Sequence, residues 1–125
     1  MKISNRQIED VTILDVSGRV VAGEAEMLRD SVRSLIARGE KNIVLNLAEV
    51  PYMDSAGIGE LVSALVAVRR QSGCLRLLNL TRRVHDVLEI VKLLAVFQVF
   101  DNEADALATF TAPQGYSREM TARAG

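Results

Sequence analysis

The apolar residues of this chain alternate between two spacings, and this alternation constrains the fold more than any other feature. Residues 11–16 and 43–47 are short, β-branched or apolar runs of the kind found in strands, whereas 58–68 and 84–91 repeat their apolar positions with helical spacing. The predicted order is β-β-α-β-α-β-α-β-α. Because strand–helix–strand units make neighbouring strands parallel, we predict an α/β fold with a mixed sheet of four to five strands. Its N-terminal edge strand is expected to be antiparallel, and about four helices should pack mainly on one face.

Local signals place the ends of these elements. Gly39 is expected to end the first helix, Thr81 to cap the third, and Asp101 or Asn102 to cap the last. The predicted strands are 2–8, 11–16, 43–47, 75–80 and 96–100. The apolar pattern stops after 112, so we predict one domain over residues 1–112 and a flexible C-terminal tail over 113–125.

Composition excludes several classes of protein. The 125 residues suit one domain, and a net charge of −1 gives no indication of a basic face for nucleic acid. Charged residues interrupt every apolar stretch, so no membrane insertion is expected. The first residues lack the apolar segment of a signal peptide. Cys74 is the single cysteine, so no internal disulfide can form, which fits a cytoplasmic protein.

Catalytic and metal-binding patterns are absent from the sequence. The single histidine, His85, lies off the apolar stripe of its helix, and one histidine with Cys74 would make an unusual zinc site. Ser55 could belong to a hydrolase nucleophile turn, but that turn needs a small residue where this chain has Met53. We therefore expect no catalytic residue, no metal and no cofactor.

The pair Asp54-Ser55 follows a predicted buried strand and opens a predicted helix. One interpretation is capping, in which either side chain accepts a free backbone N–H of the first helical turn. The other is phosphorylation of Ser55, since a helix N-terminus favours a negative group. Local pattern leaves both alternatives open.

The stretch 43–61, IVLNLAEVPYMDSAGIGEL, resembles the signature of STAS domains, and more closely that of bacterial anti-sigma factor antagonists. That signature is an apolar strand, an aromatic-apolar pair, Asp-Ser, a small residue, then Gly and an aliphatic residue. Every position is matched here. The resemblance covers roughly residues 8–111 with the same order of elements, and it implies a STAS-like fold.

The resemblance implies a phosphorylation-controlled protein-binding switch rather than an enzyme. In that family, the serine that aligns with Ser55 is phosphorylated by a serine kinase that is also the anti-sigma factor. The unphosphorylated form binds this kinase and frees the sigma factor for transcription, and a serine phosphatase resets the switch. By the same resemblance, Asp54 orients the loop. The expected partner-binding residues are Asp54, Ala56, Gly57, Ile58 and Arg19.

One departure concerns the residues after Gly18-Arg19. Many family members carry an aliphatic residue and then Asp, where this chain has Val20-Val21. The identity of the partner therefore stays open. The alternative function is a STAS scaffold or accessory module of another signalling or transport assembly. We expect a monomer or weak dimer with no direct contact to nucleic acid.

Overall fold

A computed structural model describes residues 1–111 of the chain, and the predicted tail over 113–125 lies outside them. Within residues 1–111, the chain forms five strands, four α-helices and a short 3-10 helix. In chain order the elements are β1 (Lys2–Ile8), β2 (Val11–Ser17), α1 (Glu26–Ala37), β3 (Asn42–Glu49), α2 (Ser55–Arg70), β4 (Cys74–Leu78), α3 (Arg82–Ile90), the 3-10 helix (Leu94–Val96), β5 (Gln98–Phe100) and α4 (Glu103–Thr111).

The strands form one sheet in the order β1-β2-β3-β4-β5. β1 pairs antiparallel with β2, and every later neighbour is parallel. The sheet therefore grows in a single direction from β2 to β5. Because parallel crossovers are right-handed, three successive crossovers in one direction place their helices on the same face of the sheet.

The packing follows this rule. One large core joins the inward residues of β2, β3 and β4 to the apolar stripes of α1, α2 and α3, represented by Leu28, Leu61 and Leu88. A smaller cluster on the opposite face joins the sheet to α4 through Ala106. α4 follows the last strand and makes no crossover, so the handedness rule does not determine the face of the sheet on which it packs. The predicted mixed sheet with helices mainly on one face is confirmed.

Several predicted ends are also present. Gly39 follows α1 with a φ of +89°, and Thr81 Oγ1 accepts the N–H of Val84 at 3.4 Å to cap α3. Asn102 caps α4, its Oδ1 accepting the N–H of Asp105 at 2.9 Å.

The last predicted strand, 96–100, is wrong at its start. Val96 lies in the 3-10 helix, and the N–H of Phe97 bonds to the carbonyl of Leu94 at 3.2 Å. These turn bonds use backbone groups that a strand would give to its neighbour, so β5 begins at Gln98. The strand predicted over 75–80 is shifted, because β4 begins at Cys74 and ends at Leu78, just before Asn79 with its φ of +58°.

Candidate functional site

Ser55 is the first residue of α2 and its side chain is exposed. It follows the loop from β3, at the edge of the sheet where the parallel strands end. Within residues 1–111, the Ser55 hydroxyl takes part in no hydrogen bond. The helix therefore presents a free hydroxyl at its positive end.

Asp54, rather than Ser55, caps this helix. Its Oδ1 accepts the N–H of Gly57 at 3.0 Å, and its Oδ2 accepts the N–H of Ala22 at 3.1 Å. These two backbone donors lower the pKa of the Asp54 carboxyl, with the Gly57 N–H the larger cause. The carboxylate is thus a fixed acceptor that joins α2 to the loop after β2.

The segment after β2 runs alongside the loop that carries Ser55. Val20 and Met53 form an isolated parallel bridge. The N–H of Val20 donates to the carbonyl of Tyr52 at 3.0 Å, and the N–H of Asp54 donates to the carbonyl of Val20 at 3.3 Å. Val20 and Met53 are both buried. This pairing fixes the backbone immediately before Ser55.

Gly57 is the point of closest approach between α2 and that segment. A Cβ at Gly57 would overlap the carbonyl oxygen of Val20 and lie 2.6 Å from Met53 Cγ. A side chain would therefore push α2 away from its support. Gly57 is buried, and Ala56 and Ile58 are half-buried. That these three contact a partner stays a prediction.

Arg19, predicted at the partner surface, is exposed, and its guanidinium lies over the ring of Tyr52 at 5.1 Å from the centroid. Arg83 of α3 lies over the same ring at 5.4 Å. Sequence analysis singled out neither Tyr52 nor Arg83 for function. Thirty-odd residues separate them, and no periodic pattern in the sequence links the loop before α2 to the first turn of α3.

A metal site was not expected, and the described residues contain one group with suitable atoms. Ligand atoms of His85, Asp86 and Glu89 lie within 4.8 Å of one another on α3. Asp86 already pairs with His85 Nδ1 at 3.1 Å and with Arg82 Nε at 3.5 Å. His85 lowers the pKa of the Asp86 carboxyl by this hydrogen bond. A metal held by this group would have to replace the His85–Asp86 hydrogen bond and displace Arg82 from Asp86.

No helix in the described part of the chain is both long and apolar enough to cross a bilayer.

Comparison with known families decides what kind of domain carries this site. The sequence model of the STAS domain family matches residues 2–106. The chain belongs to the STAS domain family. The resemblance predicted from the Asp54-Ser55 stretch is confirmed.

Two relatives of this STAS domain carry informative names. A protein of Bordetella bronchiseptica assigned as an anti-sigma factor antagonist, BtrV, is 30% identical over 110 residues, covering 88% of this chain and 95% of its own. The anti-sigma-B factor antagonist of Bacillus subtilis is 27% identical over 99 residues, covering 79% of this chain and 90% of its own.

Solved structures share the fold of the STAS domain. The anti-sigma factor antagonist SpoIIAA in its unphosphorylated form superposes with a TM-score of 0.68 at 16% identity, over 90% of this chain and all of that one. The phosphorylated form of SpoIIAA from Bacillus superposes with a TM-score of 0.69 at 18% identity, over 87% of this chain and 99% of that one. Both forms of that protein therefore resemble this fold to the same degree.

Proposed function

We propose that this STAS domain is an anti-sigma factor antagonist that binds a serine kinase anti-sigma factor while Ser55 is unphosphorylated, and that phosphorylation of Ser55 ends the binding. The observation that carries the proposal is the exposed hydroxyl at the first position of α2. A kinase needs such a hydroxyl to be reachable, and a docking partner over it would meet the added charge directly.

The competing explanation for Asp54-Ser55 was helix capping, and Asp54 performs that task alone. Ser55 is therefore not required for the hydrogen bonds at the start of α2. A modification of its hydroxyl leaves the cap in place. Because Asp54 caps the helix and Ser55 does not, Ser55 can be modified reversibly without loss of the cap.

The physical effect of a phosphate at this point favours a switch. It adds about −1.5 to −2 charges, and the positive end of a helix tolerates such a group. The hydrogen bonds of the sixteen-residue helix and of the buried Val20–Met53 bridge do not use the Ser55 hydroxyl, so we expect them to persist when it is modified. The surface changes while the domain stays folded, which is the requirement for reversible release of a partner.

The relatives support a binding role rather than a catalytic one, because the names they carry describe antagonists of anti-sigma factors. A protein of the same fold is known in phosphorylated and unphosphorylated forms. As part of the proposal, a serine phosphatase regenerates the binding form, and the cycle takes place in the cytoplasm. The function is regulation of transcription by partner switching, without a cofactor.

The test is the intact mass of the full chain after incubation with ATP and a candidate serine kinase anti-sigma factor, sought first among the proteins encoded by neighbouring genes. We expect the mass of one phosphoryl group to be added, and none to be added to Ser55→Ala. Ser63→Ala is the matched control, since Ser63 lies in the same helix but is half-buried. It should be phosphorylated like the natural chain.

Two results would contradict the proposal. One is phosphate on a residue other than Ser55. The other is binding of the kinase with equal affinity to the phosphorylated and unphosphorylated chains. Absence of phosphorylation by the neighbouring kinase and by other candidate kinases would favour the scaffold alternative.

A further inference from the structure

Three side chains from separate parts of the chain meet at the ring of Tyr52. Arg19 follows β2, Tyr52 lies in the loop between β3 and α2, and Arg83 is the second residue of α3. Both guanidinium carbons lie within 5.4 Å of the Tyr52 ring centroid. We call these three residues the arginine–tyrosine cluster. Tyr52 precedes Ser55 by three residues, so the cluster borders the candidate site.

The two arginines of this cluster have no counter-charge among the described residues, as is also true of Arg38, but unlike Arg38 they share one aromatic ring. Arg6, Arg29 and Arg82 each pair with a carboxylate. Within residues 1–111, neither Arg19 nor Arg83 has a carboxylate oxygen within 4.0 Å. Two positive groups therefore lie around one ring with no carboxylate of the described residues within ion-pair distance, and an external anion would be attracted to them.

The shape of the cluster suits a docking contact. Its residues and Pro51 line an open depression of about 490 Å³. Contact with the tyrosine ring restrains both arginine side chains, so less freedom is lost when a partner binds. Arginine and tyrosine are also the residue types that dominate binding energy at protein interfaces.

We propose that the arginine–tyrosine cluster binds carboxylate side chains of an acidic segment on the protein partner that docks over Ser55. Planar guanidinium groups match carboxylates in bidentate geometry. Two arginines on a chain of net charge −1 offer too few phosphate contacts for nucleic acid, so a protein is favoured. The proposal rests on the proposed function only in identifying this partner with the one that Ser55 controls.

The cluster and a phosphate on Ser55 then act on the same partner with opposite sign. The arginines attract the acidic segment, and the phosphate places a like charge beside it. Charge at the cluster would thus set how strongly the unphosphorylated form binds, while Ser55 sets whether it binds.

A titration that needs no kinase tests the surface itself. The full chain, labelled with ¹⁵N, is titrated at low ionic strength with an octaglutamate peptide, and separately with an eight-nucleotide oligo(dT) and with inorganic phosphate. We expect octaglutamate to shift the backbone amides of Arg19, Tyr52 and Arg83. The double variant Arg19→Glu/Arg83→Glu should bind the peptide with an affinity lowered at least about tenfold.

Matched variants keep this test specific. Arg33→Glu/Arg38→Glu makes the same double charge change at two exposed residues towards the C-terminal end of α1, and should bind like the natural chain. Tyr52→Phe keeps the ring and should bind normally, whereas Tyr52→Leu should weaken binding. If the double charge reversal unfolds the chain by circular dichroism, Arg19→Gln/Arg83→Gln replaces it.

Equal loss of peptide binding in Arg33→Glu/Arg38→Glu, or no shift at the cluster, would overturn the proposal. A response to oligo(dT) without one to octaglutamate would assign the cluster to nucleic acid, and an equal response to phosphate would reduce it to a small-anion site. Peptide binding without any phosphorylation of Ser55 refutes the proposed function alone. Phosphorylation without peptide binding refutes the cluster alone.

Discussion

The Thr81 hydroxyl donates a hydrogen bond to the carbonyl oxygen of Val50 at 2.8 Å. Thr81 Oγ1 also accepts the N–H of Val84 at 3.4 Å. One side chain therefore caps α3 and holds the loop that leads to Ser55. The start of α3, which carries Arg83, is fixed relative to the start of α2 through this contact.

Replacing Thr81 by Val tests the importance of this contact. Thr81→Val keeps the shape of the side chain but leaves the Val50 carbonyl and the Val84 N–H without their partner, so we expect a loss of about 1–2 kcal/mol in the free energy of unfolding. Urea denaturation measures the loss. Thr81→Ser retains the hydroxyl and should remain near the natural stability; an equal loss in both variants would contradict the role of the hydroxyl.

Replacing either of two glycines of α2 by alanine should change the stability of the domain, but in opposite directions. Gly57→Ala places a Cβ against Val20 and Met53, and such overpacking costs about 1–3 kcal/mol. Gly59→Ala meets nothing within 4 Å on the exposed face, so the reduced freedom of the unfolded chain should stabilise the domain by about 0.4–1 kcal/mol. Thermal denaturation of the two variants decides this, and a stable Gly57→Ala would refute the close approach.

Substitution of Ser55 separates folding from binding. Ser55→Asp should melt near the natural temperature, because Asp54 still caps α2 and a carboxylate suits the helix end. Its affinity for the kinase anti-sigma factor should fall at least about tenfold. Ser55→Ala should fold and bind whether or not ATP is present. Calorimetric titration checks both, and strong binding by Ser55→Asp would contradict the switch.

A partly exposed ion pair on the α4 side of the sheet, Arg6 with Asp15, predicts a dependence of stability on pH. Arg6 donates to both oxygens of Asp15, from Nε at 2.6 Å and from Nη2 at 3.0 Å, and Asn46 donates at 2.8 Å. Arg6 is the main cause that lowers the pKa of the Asp15 carboxyl. A lowered pKa contributes stability above the unfolded value of about 3.9, and this is lost as the pH falls through the folded value.

We therefore expect the urea midpoint to fall as the pH drops below about 4. Arg6→Gln should be less stable at neutral pH and should lose less stability on acidification. Arg38→Gln, at an exposed arginine with no ion pair among the described residues, is the control. Parallel acid profiles for Arg6→Gln and the natural chain would show that the pair does not matter.

The sequence predicts most of this fold because its signals are local. Apolar periodicity and capping residues define β2, β3 and α1 to α3, and the handedness of crossovers then decides the face on which the helices lie. The position of α4 could not be predicted this way, since no strand follows it. The 3-10 helix that contains Val96 could not be predicted either, because its backbone hydrogen bonds do not change the apolar pattern of the sequence.

At the candidate site, local pattern located Asp54 and Ser55 but did not divide their roles. The bond from Ala22 to Asp54 joins residues 32 positions apart, and it is part of what makes Asp54 the fixed acceptor. The contacts of Arg19 and Arg83 with Tyr52 also join residues that are far apart in the sequence. Contacts between distant loops depend on the completed sheet, so single-sequence patterns do not contain them.

The buried support beneath Ser55 and the exposed arginines beside it are made of different residues. Val20, Met53 and Gly57 are buried, whereas Arg19 and Arg83 face solvent. Mutations can therefore accumulate at the exposed positions without disturbing the buried residues that hold the backbone at Ser55 in place. Under the role that we propose for the arginine–tyrosine cluster, sister copies that arise by gene duplication could diverge in the proteins they recognise while sharing the same chemistry, which would keep parallel signalling routes insulated from one another.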